Sequence, residues 1–249
     1  MSIIGIIPAR YGSTRLPGKS LITLCGKPLI QWVYERARKA TVLDDLVVAT
    51  DDERIRSVVQ GFGGKAVMTR SDHPTGTDRI AEALGQVPAD VVINVQGDEP
   101  LIDPALIDSL GRKMKSDMSW DMATAATPLS DPKDLANPAI VKVVWDQSGR
   151  AMYFSRSLIP HVRDPGANAS GLHWRHIGIY AYRASFLRTL VKTPPCPLEE
   201  AEKLEQLRAL YLGARMFVAQ TKDFGLGVDT PDDVPKAEAA LRAAGLIGP

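Results

Sequence analysis

Residues 8–19, Pro-Ala-Arg-Tyr-Gly-Ser-Thr-Arg-Leu-Pro-Gly-Lys, form the chemically densest stretch of the chain. Arg10, Arg15 and Lys19 place three positive charges beside two glycines and two small hydroxyl residues. Glycine has no Cβ, so its backbone can come close to a bound group. Three cations on one such loop suit a polyanion. A nucleoside triphosphate fits, because reaction at its α-phosphate needs charge neutralised on the departing pyrophosphate. The order is neither Gly-x-x-x-x-Gly-Lys-Ser/Thr nor Gly-x-Gly-x-x-Gly, which disfavours a P-loop and a dinucleotide site. A solvated basic loop is the plainer alternative.

Acids suited to a metal stand elsewhere. Asp98 lies in Gln96-Gly97-Asp98-Glu99-Pro100 and Asp229 in Gly227-Val228-Asp229-Thr230-Pro231. Mg²⁺ takes a few carboxylates together with phosphate oxygens and water. Asp103-Pro104 already supplies a helix start, which leaves Asp98 available, although either aspartate could equally be a turn former. Alternation along a strand over residues 173–182 puts His176, Gly178 and Tyr180 on one face. That face is either a ligand floor or a packed core. Arg156 could clamp a carboxylate bidentately or make a surface salt bridge. Glu205 and Gln206 lie off the Leu204–Leu207 stripe, where periodicity alone reads a solvated helix face. His173 and His176 lack a third ligand for zinc.

The elements that must position these residues follow from the apolar pattern. The chain has 249 residues, 45% hydrophobic and 24% charged, with net charge +1. That composition excludes a disordered or fibrous chain, and the balanced charge argues against nucleic-acid or anionic-membrane binding. The length suits one domain or one domain with an insertion. The two cysteines imply neither a disulfide framework nor a metal site, and a reducing cytoplasm is expected. The N-terminus does not read as a signal peptide, and no apolar run approaches the ~18 residues of a spanning helix.

Short apolar strands at 3–7, 46–49, 66–68 and 91–95 alternate with helices. One helix covers 29–40, one runs from Asp51 to about 60, one opens at Thr75 or Thr77 and runs through 84, and one starts at Asp103-Pro104. This alternation predicts a parallel sheet with helices on both faces. Ligands of such sheets bind beyond the carboxyl ends of strands, which puts 8–19 and 96–100 at one edge. Strand-like runs at 122–127, 141–145, 152–155 and 177–182 then follow without long helices, reading as an antiparallel extension or small inserted subdomain. A helix is expected over 198–212, and another opening at Thr230-Pro231.

The two loops, with His73-Pro74-Thr75-Gly76-Thr77-Asp78-Arg79, Asn137-Pro138, Val141-Lys142-Val143-Val144, Tyr153-Phe154-Ser155-Arg156, His176-Ile177-Gly178-Ile179-Tyr180, Leu204-Glu205-Gln206-Leu207-Arg208 and the 227–231 segment, resemble the 3-deoxy-manno-octulosonate (KDO) cytidylyltransferases nearly end to end. The first loop alone is shared, more loosely, with CMP-sialate synthetases. The resemblance implies a nucleotide-diphospho-sugar transferase-like α/β fold. It implies a single nucleotidyltransferase domain over 1–249, with an antiparallel part near 122–182 used in dimerisation. The implied reaction is CTP plus KDO to CMP-KDO and pyrophosphate, for lipopolysaccharide biosynthesis, by a cytoplasmic homodimer with no nucleic-acid or membrane partner. Arg10, Lys19 and Asp98 are the implied catalytic residues. Ala9, Arg10, Gly12, Ser13, Arg15, Lys19, Arg70, Thr75, Gly76, Arg79 and Gln96 would bind nucleotide. Gln96, Arg156, His176, Tyr180, Glu205 and Gln206 would bind the sugar, and Asp98 and Asp229 would hold Mg²⁺. The Thr75-Gly76-Thr77-Asp78-Arg79 segment departs from the family's Ser-Gly-Thr-Glu-Arg form, which bears on sugar selectivity. A CMP-sialate-type enzyme is disfavoured by the 96–100 motif. A glycosyltransferase is disfavoured because no Asp-x-Asp follows a strand. A nucleotide sensor would bind CTP without releasing pyrophosphate.

Overall fold

A computed structural model describes residues 1–13, 16–164, 171–222 and 225–247. In chain order the elements are β1 (Ile3–Ala9), a 3₁₀ turn (Lys19–Leu21), β2 (Thr23–Leu24), β3 (Lys27–Pro28), α1 (Leu29–Ala37), β4 (Asp45–Thr50), α2 (Glu53–Gly61), β5 (Ala66–Met68), α3 (Gly76–Gln86), β6 (Val91–Asn94) and α4 (Pro104–Ser116). Then come β7 (Met122–Pro128), α5 (Pro132–Ala136), β8 (Lys142–Trp145), β9 (Ala151–Ser155), β10 (Trp174–Arg183), α6 (Ala184–Lys192), α7 (Pro197–Glu202), α8 (Gln206–Tyr211), β11 (Met216–Gln220) and α9 (Asp233–Ala243). The fold is α/β with a mixed, mostly parallel sheet. Two compact units make up the chain: residues 1–112 with 225–249, and residues 113–224.

In the first unit β1 lies between β4 and β6, parallel to both, and β5 extends the order beyond β4. Ile3, Ile6, Ile7, Val47, Val48, Val91, Val92 and Ile93 are all buried, the near-continuous apolar pattern of strands covered on both faces. The chain moves outward from β1 through β4 to β5, then returns to add β6 on β1's other side. The strand order therefore reverses between β1 and β6, the place where open α/β sheets bind ligands. The cationic loop leaves the end of β1 and the Asp98 loop leaves the end of β6.

Helix starts differ from expectation in detail. Asp52, not Asp51, caps α2, accepting a hydrogen bond from Arg54 N at 2.9 Å, because the Asp51 carboxylate faces Arg79 instead. Of the two threonine candidates, Thr75 caps α3 through its hydroxyl, which accepts from Asp78 N. Asp103 accepts from Ala105 N at 2.9 Å and starts α4. α1 ends at Ala37, short of residue 40. The last helix begins at Asp233, not at Pro231. The Asp233 carboxylate accepts from Asp229 N, Thr230 N and Thr230 Oγ1 at 3.2, 2.9 and 2.8 Å, so it folds residues 229–230 into a turn outside the helix.

In the second unit β10 pairs antiparallel with β7 and β8, β8 with β9, and β11 lies parallel to β7. The β7–β10 register slips between Ile177 and Tyr180. The expected helix over 198–212 is two helices, α7 and α8, broken at Lys203, whose φ is +54°. The reason is an ion pair from Arg208 to Glu199. Nine residues of unbroken helix would rise ~13.5 Å between them, and the break folds α8 back within reach. Neither β11, α6 nor the β2–β3 hairpin was visible in the apolar pattern.

Candidate active site

The first loop is shaped by its own backbone. Tyr11 O accepts from Ser13 N at 2.9 Å and from Gly18 N at 3.0 Å. Gly18 has φ +68°, and a Cβ there would sit 3.2 Å from the Tyr11 ring, so glycine meets both the conformational and the steric demand. Lys19 follows directly. On the β6 side, a Cβ at Gly97 would lie 2.8 Å from Pro8 O. Only a glycine lets the two loops abut at this distance. A Cβ on Gly76 would lie 3.5 Å from the Pro8 ring, so the start of α3 also borders the end of β1.

These constraints bring three distant segments to one point. Lys19 Nζ lies 2.6 Å from Asp98 Oδ2 and 3.0 Å from Asp229 Oδ1. Val228 N donates to Asp98 O at 2.9 Å, tying the Asp229 segment to the β6 loop. Two carboxylates that meet at one ammonium bring two acid oxygens to one place. The donor set is hard oxygen from two acids, which suits Mg²⁺ completed by phosphate and water. Among the described residues no group of three or more His, Cys, Asp or Glu side chains forms a fuller cage.

The other expected nucleotide residues are placed as follows. Ala9 is buried in the β1 ladder opposite Thr50. Arg10 and Gly12 are exposed, while Ser13 and Gln96 are half-buried. Arg15 lies outside the described residues. Arg70 is exposed, with Nε 3.6 Å from Asp72 and 3.4 Å from Glu82. Glu82 also pairs with His73. The Thr75 hydroxyl donates to Asp78 Oδ2 at 2.8 Å. Arg79 is buried at 3% exposure. Its guanidinium bonds Thr69 Oγ1 at 2.5 Å, Arg70 O at 3.3 Å and Asp51 Oδ2 at 3.2 Å. The structure thus joins Arg79 to the end of β4, a packing role that its place in the motif did not reveal.

In the second unit the His176 ring lies 4.9 Å from that of Phe154 and 5.5 Å from that of Tyr180, and Tyr180 lies 5.7 Å from Tyr182. His176 Nε2 and Thr124 Oγ1 are 2.9 Å apart. His176 is half-buried; loss of hydration around its ring, with the Arg175 charge, holds its pKa down to about 3, so its imidazole is neutral at pH 7. Burial, then the charges of Tyr182 and Glu205, pushes Tyr180 well above the usual phenol range. A Cβ at Gly178 would meet nothing within 4 Å, so there is open space beside the His176–Tyr180 pair. Arg156 donates from Nε to Glu202 O at 2.7 Å and from Nη1 to Pro138 O at 3.0 Å. Glu205 is exposed at the start of α8. Gln206 is buried at 7%, contrary to the solvated face that periodicity suggests, because the break at Lys203 resets the helix phase. Thr124 carried no sequence signal of its role.

A cytidylyltransferase family model matches residues 4–219, which sets the class as a nucleotidyltransferase. The chain is 52% identical to a 3-deoxy-manno-octulosonate cytidylyltransferase of Syntrophobacter fumaroxidans, covering 100% of both chains. It is 49% identical to one of Syntrophotalea carbinolica, over 97% of this chain and 99% of that one. A solved structure of CMP:2-keto-3-deoxy-manno-octonic acid synthetase complexed with CTP shares 43% identity, with TM-score 0.94 over 98% of this chain and 100% of that one. A cytidylyltransferase from Leptospira borgpetersenii, at 18% identity and TM-score 0.65 over 98% and 87%, shares the fold. The chain belongs to the 3-deoxy-manno-octulosonate cytidylyltransferase family.

Proposed function

We propose that this enzyme transfers CMP from CTP to the anomeric hydroxyl of KDO and releases pyrophosphate. The observation that carries the reading is the Lys19 ammonium held between Asp98 and Asp229 at the β1–β6 switch point. The family, and the CTP complex of a relative at 43% identity, support it. Asp98 and Asp229 would hold Mg²⁺, which when bound supplies charge neutralisation on the triphosphate and acidifies the attacking hydroxyl. Lys19, Arg10 and Arg15 offer positive charge to the departing pyrophosphate. Backbone groups of residues 9–12 and residues 75–79 read the cytosine, and Gln96 is offered to both nucleotide and sugar.

In the second unit Arg156 takes the sugar carboxylate. His176, Tyr180, Glu205 and Gln206 take its hydroxyls. His176 serves as a neutral hydrogen-bonding ring, since burial keeps it uncharged. The chain's work is orientation and charge placement rather than covalent chemistry. The same reading carries a homodimer formed through the antiparallel stretch near 122–182, a cytoplasmic location and a place in lipopolysaccharide biosynthesis. No helix among the described residues is long and apolar enough to cross a membrane.

The test is a pyrophosphate-release assay crossing CTP, UTP and ATP with KDO and sialic acid, with and without Mg²⁺. Release is expected with CTP, KDO and Mg²⁺ together. Equal release with sialic acid would refute the sugar assignment, and tight CTP binding without release would favour a sensor.

A further inference from the structure

The run Val141-Lys142-Val143-Val144-Trp145 sets one charged residue in an apolar strand. Lys142 is 0% exposed. Its ammonium donates to Asn137 O at 2.8 Å and to Arg156 O at 3.1 Å. Among the described residues it makes no ion pair. The Arg156 guanidinium is likewise bonded to carbonyls, those of Glu202 and Pro138. The nearby Glu202 carboxylate accepts instead from Ser155 Oγ at 2.7 Å and Arg156 N at 2.9 Å.

Buried charges are ordinarily paired, and a buried ammonium without a counter-charge is unfavourable against an apolar residue of similar size. Burial alone lowers the Lys142 pKa, and no acid offsets it. β8 therefore retains a residue that costs stability. Its two acceptors show what it does locally. Lys142 grips Asn137 O and Arg156 grips Pro138 O, so two adjacent carbonyls of one turn are held by cations. The Lys142 bond to Arg156 O also fixes the backbone from which the guanidinium extends. Two cations bonded to carbonyls beside the single carboxylate of Glu202 leave net positive charge that an incoming anion can neutralise.

We propose that Lys142 is a positioning residue for Arg156: it fixes the 137–138 turn and the Arg156 backbone, and its unneutralised charge strengthens the Arg156 site for the carboxylate of the sugar acid. The proposal rests on the function argued above. Being fully buried, Lys142 touches no ligand and acts through Arg156.

The test uses Lys142→Met and Lys142→Gln in the full-length enzyme. The readouts are the KM for KDO, the KM for CTP, and the inhibition constant of the C1 amide of KDO, which lacks the negative charge. Turnover of KDO by the parent is measured first. Its absence removes the functional reading itself, whereas normal parent turnover with unchanged variants removes this proposal alone. Both variants should raise the KM for KDO at least tenfold, with a clearly smaller rise in the amide inhibition constant and a CTP KM within twofold. If Lys142→Met does not fold, Lys142→Gln keeps a polar N–H donor, one bond shorter than the ammonium, and removes the charge. A Lys142→Gln enzyme with the parent KM for KDO would overturn the proposal. So would an equal loss for acid and amide, which marks a purely structural role.

Discussion

Asp98→Asn keeps the shape of a side chain and removes one of the two negative charges that grip Lys19. Its effect on folding and on catalysis should differ in size. The Lys19 and Asp98 side chains are 17% and 26% exposed and 2.6 Å apart. Surface ion pairs contribute ~0.2–1 kcal/mol, and this partly covered pair belongs near the top of that range. Asp229 remains as a partner for Lys19 at 3.0 Å, and the bond from Val228 N to Asp98 O is untouched. The expected stability loss is therefore ~1 kcal/mol, a fall in Tm of ~2–4 °C for a chain of this size. Catalysis loses a charged group aimed at the metal and phosphates. Removing one such preorganised group typically lowers kcat ~10²–10³-fold. Pyrophosphate release at saturating CTP and Mg²⁺ gives the rate, and thermal melting without ligand gives the stability. Asp229→Asn should behave alike, and the double variant should be little worse than either single one, because residues acting as a unit are not additive. A kcat within threefold of the parent would refute the assignment of Asp98. A Tm loss of ~10 °C or more would recast the residue as structural.

Gly97→Ala should lower activity and cost ~1–3 kcal/mol in denaturant unfolding, because its Cβ would press to 2.8 Å on Pro8 O, a backbone atom that cannot swing away. Arg79→Met should destabilise the chain by about 3 kcal/mol, since it leaves the Asp51 carboxylate without its guanidinium partner. A CTP-affinity loss without a stability loss would instead make Arg79 a nucleotide ligand. His176 titrates at about 3 in the fold against ~6.5 when unfolded. The unfolded chain thus binds more protons between those values, and stability should fall as pH drops below about 6.5. Urea midpoints at pH 5 and 7.5 should differ less in His176→Asn. Asp233 is held to about 2, first by the Thr230 hydroxyl. Its contribution is present above the ordinary carboxylate pKa of ~3.9 and lost as pH falls toward 2, so Asp233→Asn should flatten the acid limb of the melting curve.

Much of the candidate site's framework was legible along the chain because the signals are local. Apolar runs too short for helices mark buried strands, and a strand followed by a Gly-rich cationic loop marks a ligand edge. Asp103 announces a helix start by residue type alone, whereas residue type left Thr75 and Thr77 both open for α3. Lys142 stands as a lone charge in the apolar run 141–145, but nothing local shows that its partners are carbonyls. Two of the misread elements trace to a contact between residues that are not neighbours and that outweighs local preference. Arg208 and Glu199 break the 198–212 helix, and Arg79 draws Asp51 away from the α2 cap.

Residue types and local periodicity thus determined which loops carry charge, that strands and helices alternate, and which acids are available. Strand order, the meeting of Lys19 with Asp98 and Asp229, and the inward turn of Arg79 were decided only in three dimensions. Each depends on groups tens to hundreds of residues apart, such as Lys19 with Asp229 or Pro8 with Gly97. Such pairings are set by how strands stack and how closely backbones can pass, and no window of neighbouring residues contains that information.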